Sequence, residues 1–489
     1  MKKVITVIVS FLILTSCTKA LEVNGSKEEV GDKTIIRLWG SHEERGFAYG
    51  YLLADEIYDV YVEYFIKTVF GADINELNQA EAIMFELFNI DEEYENEAKA
   101  VVSGIEAAEM GDDFEAVLGR KFTYKDLLLA NGIVELYTLS GCSSLSSWGA
   151  ATEDDPELQG ELVITRQLDW DSHPALIRNQ LLTVHLPASK GEQAWLSFGF
   201  PGLIGALSTI NQSGIAAFHH VGNTEKPPFD KKYDFIFFSI RNGIEKYDLN
   251  GDSKNSIDDV IFGIERDKQY GGWIVDVANS IAAGDSAVVV ETNNAVGTII
   301  RSTKDNADIK GTNLVATNHF CSMYEPESCT RYAKLVDSIN ANQKFDALRQ
   351  WNVLGGAAGI SGNLYTVQYI PFTGEVKWAT TTFTKKAYES EPYVFYLQDM
   401  LKPTDVEEVE IDESIAIYPN PAKDQVNFKT EMQGRIDIEI IDQMGRRVEK
   451  FASNQKIIQY NCSQLTSGKY LVKISSGSRV KVGMMTIIK

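Results

Sequence analysis

Positive charge is what this 489-residue chain most lacks: 46 Lys and Arg stand against 69 Asp and Glu, for a net charge of −23. Phosphate backbones are held by clustered cations, and no long basic run interrupts the acidic balance, which argues against nucleic acid as a partner. Acidity of this kind keeps a protein soluble and names no ligand. Zinc-ligand spacing, a phosphate-cradling glycine loop and a nucleotide fingerprint are missing. Internal repeats and low-complexity tracts are missing too. Beyond the first residues no apolar stretch is long enough to cross a bilayer. What remains is ample for folding: 44% hydrophobic and 10% aromatic residues suffice for a sizeable core, and the length accommodates two or three domains.

Cysteine is scarce as well, five in all. Lys2 and Lys3, the apolar run 4–14 and the small residues after it read as a secretory signal. The end of that run, Leu14-Thr15-Ser16-Cys17, resembles the bacterial lipobox, in which the cysteine is lipidated and becomes the first residue of the mature chain. The expected product is exported, to the outer membrane or cell surface or into the medium, with residues 1–17 as signal and 18–30 as a polar tether. Disulfides persist in such a compartment. Cys321 and Cys329 are near enough in sequence to close a small loop, although spacing does not establish connectivity. Cys462 is left unpaired. Cys142, in the small-residue turn Ser140-Gly141-Cys142-Ser143-Ser144, is the candidate nucleophile.

Helical spacing of Ala48, Tyr51, Leu52 and Ile57 predicts a helix over 43–68. Further helices over 78–108 and 124–139 make 31–141 a helical pro-region. After Cys142 the texture changes to strands at 162–165, 181–184, 194–197 and 214–218, separated by turn residues. Helix is predicted over 235–247 and 257–283, then strands at 286–290 and 297–300, a helix at 331–339 and a strand pair within 364–382. Blocks of strands with helices between them, and no strict alternation, give an α+β layered domain over 142–400. An acidic linker at 401–412 leads to a small all-β unit at 413–489.

In that last unit Tyr418-Pro419-Asn420-Pro421, Asp442-Gln443-Met444-Gly445-Arg446 and Ser467-Gly468-Lys469-Tyr470-Leu471-Val472 occur in order. The unit resembles the sorting domain of the type IX secretion system of Bacteroidetes, which implies the secretion machinery as a partner and a surface address rather than chemistry. The body of the chain, from about residue 40 to 390, resembles the choloylglycine hydrolase and penicillin acyltransferase group of N-terminal nucleophile hydrolases, in particular its autoproteolytic acyltransferase branch. Glu44-Arg45-Gly46 with Tyr49-Gly50 is similar to that branch's pro-region, and Gly141-Cys142-Ser143-Ser144 to its processing site. Arg166-Gln167-Leu168-Asp169-Trp170 is similar to an Arg-Asn-Leu-Asp segment, with Gln167 in place of the asparagine. Asn211-Gln212-Ser213-Gly214, Thr317-Asn318-His319-Phe320 and residues 328–331 match later blocks. The fold implied is a four-layer αββα sandwich.

An internal thiol has no base of its own, whereas a free N-terminal amine titrating near neutrality can serve as one. Cleavage of the Gly141–Cys142 bond would give Cys142 nucleophile and base together. By the resemblance, Asp169 would hold the new amine and Arg166 would sit beside the sulfur, favouring thiolate. A tetrahedral intermediate needs donors at its oxyanion; Asn318 is the first choice and Asn211 the second, with Arg331 orienting the site. His319 reads as a structural histidine, since the amine already fills the base's role. The reaction implied is hydrolysis or acyl transfer at a linear, non-peptide C–N amide bond through an acyl-enzyme on Cys142, with no catalytic cofactor. N-acyl amino acids, bile-salt-like conjugates and penicillin-type amides are the candidate substrates. The rival reading is a surface-exposed binding protein that keeps the fold without the chemistry.

One further pattern stands apart. Asp248, Asn250 and Asp252, with Lys254 and Asp259 completing the set, follow the oxygen-ligand spacing of a calcium loop. Ser253 stands where glycine is expected, and an Asp replaces the terminal Glu. The stretch is similar to a single loop of a dockerin module and carries the expectation of a structural calcium ion with no part in catalysis.

Overall fold

The computed structural model describes residues 23–489 apart from 137–140, 223, 225, 228–231, 280–285, 324–328, 359–361, 403–414, 431–435, 442–446, 454 and 477–478. The signal, Cys17, Ser140 and most of the expected linker therefore lie outside the described residues. Two compact units divide between Leu401 and Lys402.

Two large sheets build the first unit. One has nine strands in the order β1 (Gly25–Val30), β2 (Lys33–Gly40), β6 (Leu181–Pro187), β7 (Trp195–Gly199), β8 (Ser208–Asn211), β9 (Ala216–Gly222), β11 (Gly272–Ala278), β12 (Ala287–Asn293) and β13 (Gly297–Arg301). The other has six, in the order β14 (Asn313–Ala316), β4 (Gly141–Ser147), β5 (Val163–Asp169), β15 (Asn363–Ile370), β16 (Glu375–Thr380) and β17 (Tyr393–Tyr396). Two short strands, β3 (Phe88–Asn89) and β10 (Tyr233–Asp234), pair separately. Within the large sheets β2 runs parallel to β6, and the other pairings are antiparallel.

The sheets lie face to face and are joined by side chains that cross between them. Ser144 Oγ on β4 donates to Asp276 Oδ2 on β11 at 2.6 Å, and Tyr365 Oη on β15 donates to the Phe198 carbonyl on β7 at 3.2 Å. Helices Ile236–Glu245 and Ile257–Arg266 cover the first sheet, while Thr330–Ala341 and Ala347–Ala358 cover the second. From the last of these Gln350 accepts from Thr165 Oγ1 at 2.6 Å and donates to the Val163 carbonyl at 2.9 Å. This is the four-layer αββα sandwich. Its central strands are buried on both faces, so β5, β11 and β12 read as continuous buried runs instead of alternating ones.

Three expectations are corrected here. Residues 25–30 are no tether, because they pair as the edge strand β1 along β2. The stretch 31–141, expected as a helical pro-region, is not purely helical, since it opens with β2, which sits inside the nine-stranded sheet between β1 and β6. The helix predicted over 257–283 ends at Arg266, and Gly272–Ala278 is a fully buried strand.

The helices before Cys142 are fitted to one another and to the rest of the unit. Ser41 and Glu44 form a capping box at the start of helix His42–Leu52. This helix crosses helix Glu92–Ala107 so closely that a Cβ on Gly50 or Gly104 would overlap the main chain of Val101 or Phe47. Beside the crossing, Arg45 meets Glu245 at 2.6 Å, Arg241 meets Glu97 at 2.6 Å and His42 meets Glu97 at 2.5 Å. His42, Glu192 and Glu245 are the one converging group of possible metal ligands found among the described residues. Arg45, Arg241 and a protonated His42 already balance Glu97, Glu192 and Glu245. Burial opposes the charge on His42, yet Glu192 and Glu97 raise its pKa to about 9. A metal ion there would add positive charge to a neutral set.

The second unit is all β. It has one sheet of β18 (Ala416–Tyr418), β19 (Gln425–Lys429) and β22 (Ile457–Asn461), and another in the order β21 (Arg447–Ser453), β20 (Ile436–Ile441), β23 (Gly468–Ser476) and β24 (Arg479–Ile487). Val426, Phe428, Ile438, Ile440, Val472 and Met485 fill its core, with Cys462 buried there as a free thiol.

Candidate active site

Cys142 is the second residue of β4, and the pairing with β5 sets Cys142 opposite Leu168, Gly141 opposite Asp169 and Ser144 opposite Arg166. Arg166 Nη2 lies 3.5 Å from Cys142 Sγ and donates to the His219 carbonyl on β9 at 2.8 Å. Its guanidinium sits 5.6 Å from the centre of the Tyr365 ring. A fully buried cation is thus fixed against the sulfur by the facing sheet.

The nitrogen and carbonyl of Cys142 are held as firmly. Its N–H donates to Asn318 Oδ1 at 2.5 Å. Asn318 Nδ2 donates to the Val221 carbonyl at 2.8 Å, which fixes which way the amide faces. Arg331, in the first turn of helix Thr330–Ala341, donates to Asn318 Oδ1 at 2.7 Å, to Ser143 Oγ at 3.2 Å and to the carbonyl of Cys142. Asp169 is 3% exposed and has the Asn363 side chain beside it. Its closest cation is Arg331, 3.9 Å away. Burial raises the Asp169 pKa to about 7, only partly offset by Arg331 and Arg166.

The structure therefore brings Cys142, Arg166, Asp169, Asn318 and Arg331 together, with two rearrangements. Asn318, expected to donate to an oxyanion, turns its oxygen to the Cys142 nitrogen, where Asp169 was expected. Asn211 is not brought to the site. Its Oδ1 accepts the Ile215 N–H and its Nδ2 donates to the Ile244 carbonyl, both at 3.0 Å, so it ties its own turn to a covering helix.

The Cys321–Cys329 connectivity that spacing left open is not made here: both cysteines are free thiols. His319 Nε2 lies 3.6 Å from Cys321 Sγ, and its Nδ1 faces Thr317 rather than Cys142. Sequence reasoning missed Asp276, Tyr365 and His219. Asp276 accepts from Ser144 and Ser146, and burial raises its pKa to about 6 against those bonds. The only available signal was the serine run after Cys142.

An apolar cavity of about 80 Å³ lies alongside, lined by Tyr61, Tyr64, Phe65, Trp170, Phe200 and Leu207 among others. Trp170 follows Asp169 directly, and its Nε1 donates to Tyr64 Oη at 2.7 Å. Residues from both sides of the Gly141–Cys142 bond thus build the wall.

The acidic loop turns tightly, with Asp248, Gly251 and Ser253 at φ of 51°, 77° and 67°. Asp248, Asn250 and Asp252 accept the N–H groups of Ser253, Asp252 and Lys254 at 2.9 to 3.0 Å. Asp259 accepts from Asn250 and Ser256, forming a capping box for helix Ile257–Arg266. Carboxylate oxygens of Asp248, Asp252 and Asp259 do not gather within 4.8 Å of one another.

Residues 416–489 match the family described as the secretion system C-terminal sorting domain. The second unit is such a domain, which marks the chain for export to the cell surface or beyond and for handling by the secretion machinery. The chain is 26% identical over 213 residues to protein dcd1B of Dictyostelium discoideum, covering 40% of each protein. It thus spans less than half the length of that curated relative. Solved structures similar to it include an N-acylethanolamine-hydrolyzing acid amidase ortholog of Caenorhabditis elegans, at TM-score 0.37 and 14% identity over 52% of this chain and 100% of that one. A conjugated bile acid hydrolase mutant of Clostridium perfringens matches at TM-score 0.32 and 10% identity, over 53% of this chain and 94% of that one. Penicillin V acylase of Agrobacterium tumefaciens matches at TM-score 0.32 and 10% identity, over 52% and 85%. At these scores the layering described above, not the likeness, defines the fold.

Proposed function

We propose that the chain is a cysteine amidase that activates itself by cleaving before Cys142. The observation that supports this best is the separate capture of all three functional parts of one residue: the Cys142 nitrogen by Asn318, its carbonyl by Arg331 and its sulfur beside Arg166. Self-cleavage would start with attack of the thiol on the Gly141 carbonyl, giving a thioester and a free amine on Cys142, and end when water hydrolyses the thioester.

In turnover the freed amine takes the thiol proton, and the sulfur attacks the substrate amide carbonyl. The amine returns the proton to the leaving nitrogen, the C–N bond breaks, and water or an acceptor amine releases the acyl group. Asn318 orients the amine, Arg331 fixes Asn318 and the strand, and Arg166 supports charge on sulfur. The neighbouring apolar cavity favours substrates with an apolar acyl group, such as N-acyl amino acids, bile-salt-like conjugates or penicillin-type amides. Intact-mass analysis with a panel of such amides tests the proposal. A single uncleaved chain that resists thiol alkylation and turns over none of them would leave a binding protein instead.

Lipidation of Cys17 would anchor the chain at the outer membrane, and labelling of cells with an acyl-chain probe, lost in Cys17→Ser, tests it. A structural calcium ion at the Asp248 loop, proposed on oxygen spacing and the tight turn, would have to draw together oxygens that accept main-chain N–H groups in this structure.

A further inference from the structure

A second thiol cluster lies next to the Cys142 centre and takes no part in the chemistry above. His319 is 6% exposed and interacts with two cysteines, Cys321 and Cys329. Its Nε2 is 3.6 Å from Cys321 Sγ, and its Nδ1 is 2.6 Å from Thr317 Oγ1. The Thr317 hydroxyl in turn donates to Cys329 Sγ at 3.6 Å. A doubly protonated imidazole satisfies the whole chain: one N–H faces Cys321, and the other supports Thr317 as donor to Cys329. Both cysteines line a cleft of about 620 Å³ together with Asp308 and Tyr332. Burial opposes ionisation of Cys329, but its bonds to His319, the Tyr332 main chain and Thr317 lower its pKa to about 6. Burial likewise opposes charge on His319, yet the two cysteines raise its pKa to about 9. Near neutrality this is a thiolate paired with an imidazolium and open to a cleft, the environment in which a cysteine reacts rather than merely packs.

We propose that Cys329, His319 and Cys321 form a thiol–disulfide exchange site, distinct from Cys142, that reacts with small-molecule disulfides entering this cleft. The Cys329 thiolate attacks one sulfur of the disulfide, forming a mixed disulfide and releasing one thiolate, which takes up a proton. Cys321 then gives its proton to solvent and attacks the Cys329 sulfur, closing Cys321–Cys329 and releasing the second thiol. Two cysteine thiols are oxidised and one external disulfide is reduced.

Closure of this disulfide acts on the Cys142 centre. Cys329 is the N-cap of the helix whose second residue is Arg331, and Cys321 follows Asn318 by three residues. A covalent link between them pulls on both groups that hold the Cys142 backbone. This coupling rests on the Cys142 reading, whereas the exchange chemistry does not.

The test uses the full chain, reduced and then incubated with oxidised glutathione at pH 7, with cysteines mapped by peptide mass. The expected products are a Cys321–Cys329 linked peptide in the wild type and a glutathione adduct on Cys329 in Cys321→Ser. His319→Gln is expected to slow the Cys329 reaction about tenfold, as its thiolate fraction falls; Thr317→Val provides a second, milder variant expected to slow it in the same direction. No linked peptide, or a Cys329 rate unchanged in both variants, overturns the exchange site. Coupling is read by the rate of Cys142 alkylation with iodoacetamide, which does not depend on turnover. Oxidation is expected to change that rate in the wild type, reversibly with dithiothreitol, and not in the Cys321→Ser/Cys329→Ser double variant. An equal change in both proteins overturns the coupling, and absence of amidase activity with the coupling intact sinks the amidase reading alone.

Discussion

Arg331 donates from one guanidinium nitrogen to the carbonyl of Cys142 and from the other to the Asn318 oxygen that receives the Cys142 N–H. One side chain thus sets both the position of the strand that carries Cys142 and the orientation of the group holding its nitrogen. A lysine carries the charge but not the fork. Arg331→Lys is therefore expected to retain a folded protein and lose about 2 kcal/mol of the transition-state stabilisation, roughly thirtyfold in kcat/KM. Steady-state kinetics on any amide found to be turned over checks it.

In the proposed enzyme, processing and chemistry would share Cys142. Cys142→Ala is expected to remain one polypeptide in denaturing mass analysis and to turn over no amide, while the wild type yields two fragments that meet at Gly141 and Cys142. Two fragments from the Cys142→Ala chain would show that cleavage there is the work of another protease.

Asp169 titrates at about 7 in the folded chain because burial outweighs its arginine neighbours. In an unfolded chain it titrates at about 3.9. Between these values the folded state binds the extra proton, so stability falls as pH rises through this window. Asp169→Asn removes that loss. Thermal melts at pH 4.5, 6 and 7.5 are expected to show the variant gaining on the wild type at each step, with little further gain above pH 8.

The apolar cavity offers a test of acyl preference. Ala130 lines it, and Ala130→Phe would occupy space for two or three methylenes, about 2 kcal/mol of burial. The expected result is a roughly thirtyfold loss of kcat/KM for a long-chain amide and little change for the acetyl analogue. Equal losses for both would place the acyl group elsewhere.

Calcium is expected to raise the melting temperature of the wild type and not of Asp252→Ala. No shift with the wild type would leave the loop as a self-capped turn.

How far the sequence carried these conclusions differs from residue to residue. The hairpin that sets Cys142 against 166–169 was legible because small and alternating residues flank a turn. β2 was not, because Thr34-Ile35-Ile36 is buried on both faces of a sheet interior and shows no period. β11 was read as helix for a similar reason: a short run that is buried on both faces has no distinguishing alternation. Asn211 failed as a site residue because asparagine in a Gly-containing turn answers to its own backbone first. Spacing left a Cys321–Cys329 bridge open, and only the fold shows an imidazole beside both cysteines.

β2 has one more consequence. It precedes the Gly141–Cys142 bond in sequence, yet it is stitched along β6, which follows that bond. A cut before Cys142 would therefore change what the protein can recover from rather than what it looks like. The intact chain finds its fold as one molecule, at a rate independent of concentration. The nicked one, once unfolded, must find a separate partner to restore the interior of its largest sheet, so its refolding would slow with dilution. Maturation would act as a ratchet: the active form would be reached through a fold that it could no longer easily reach again.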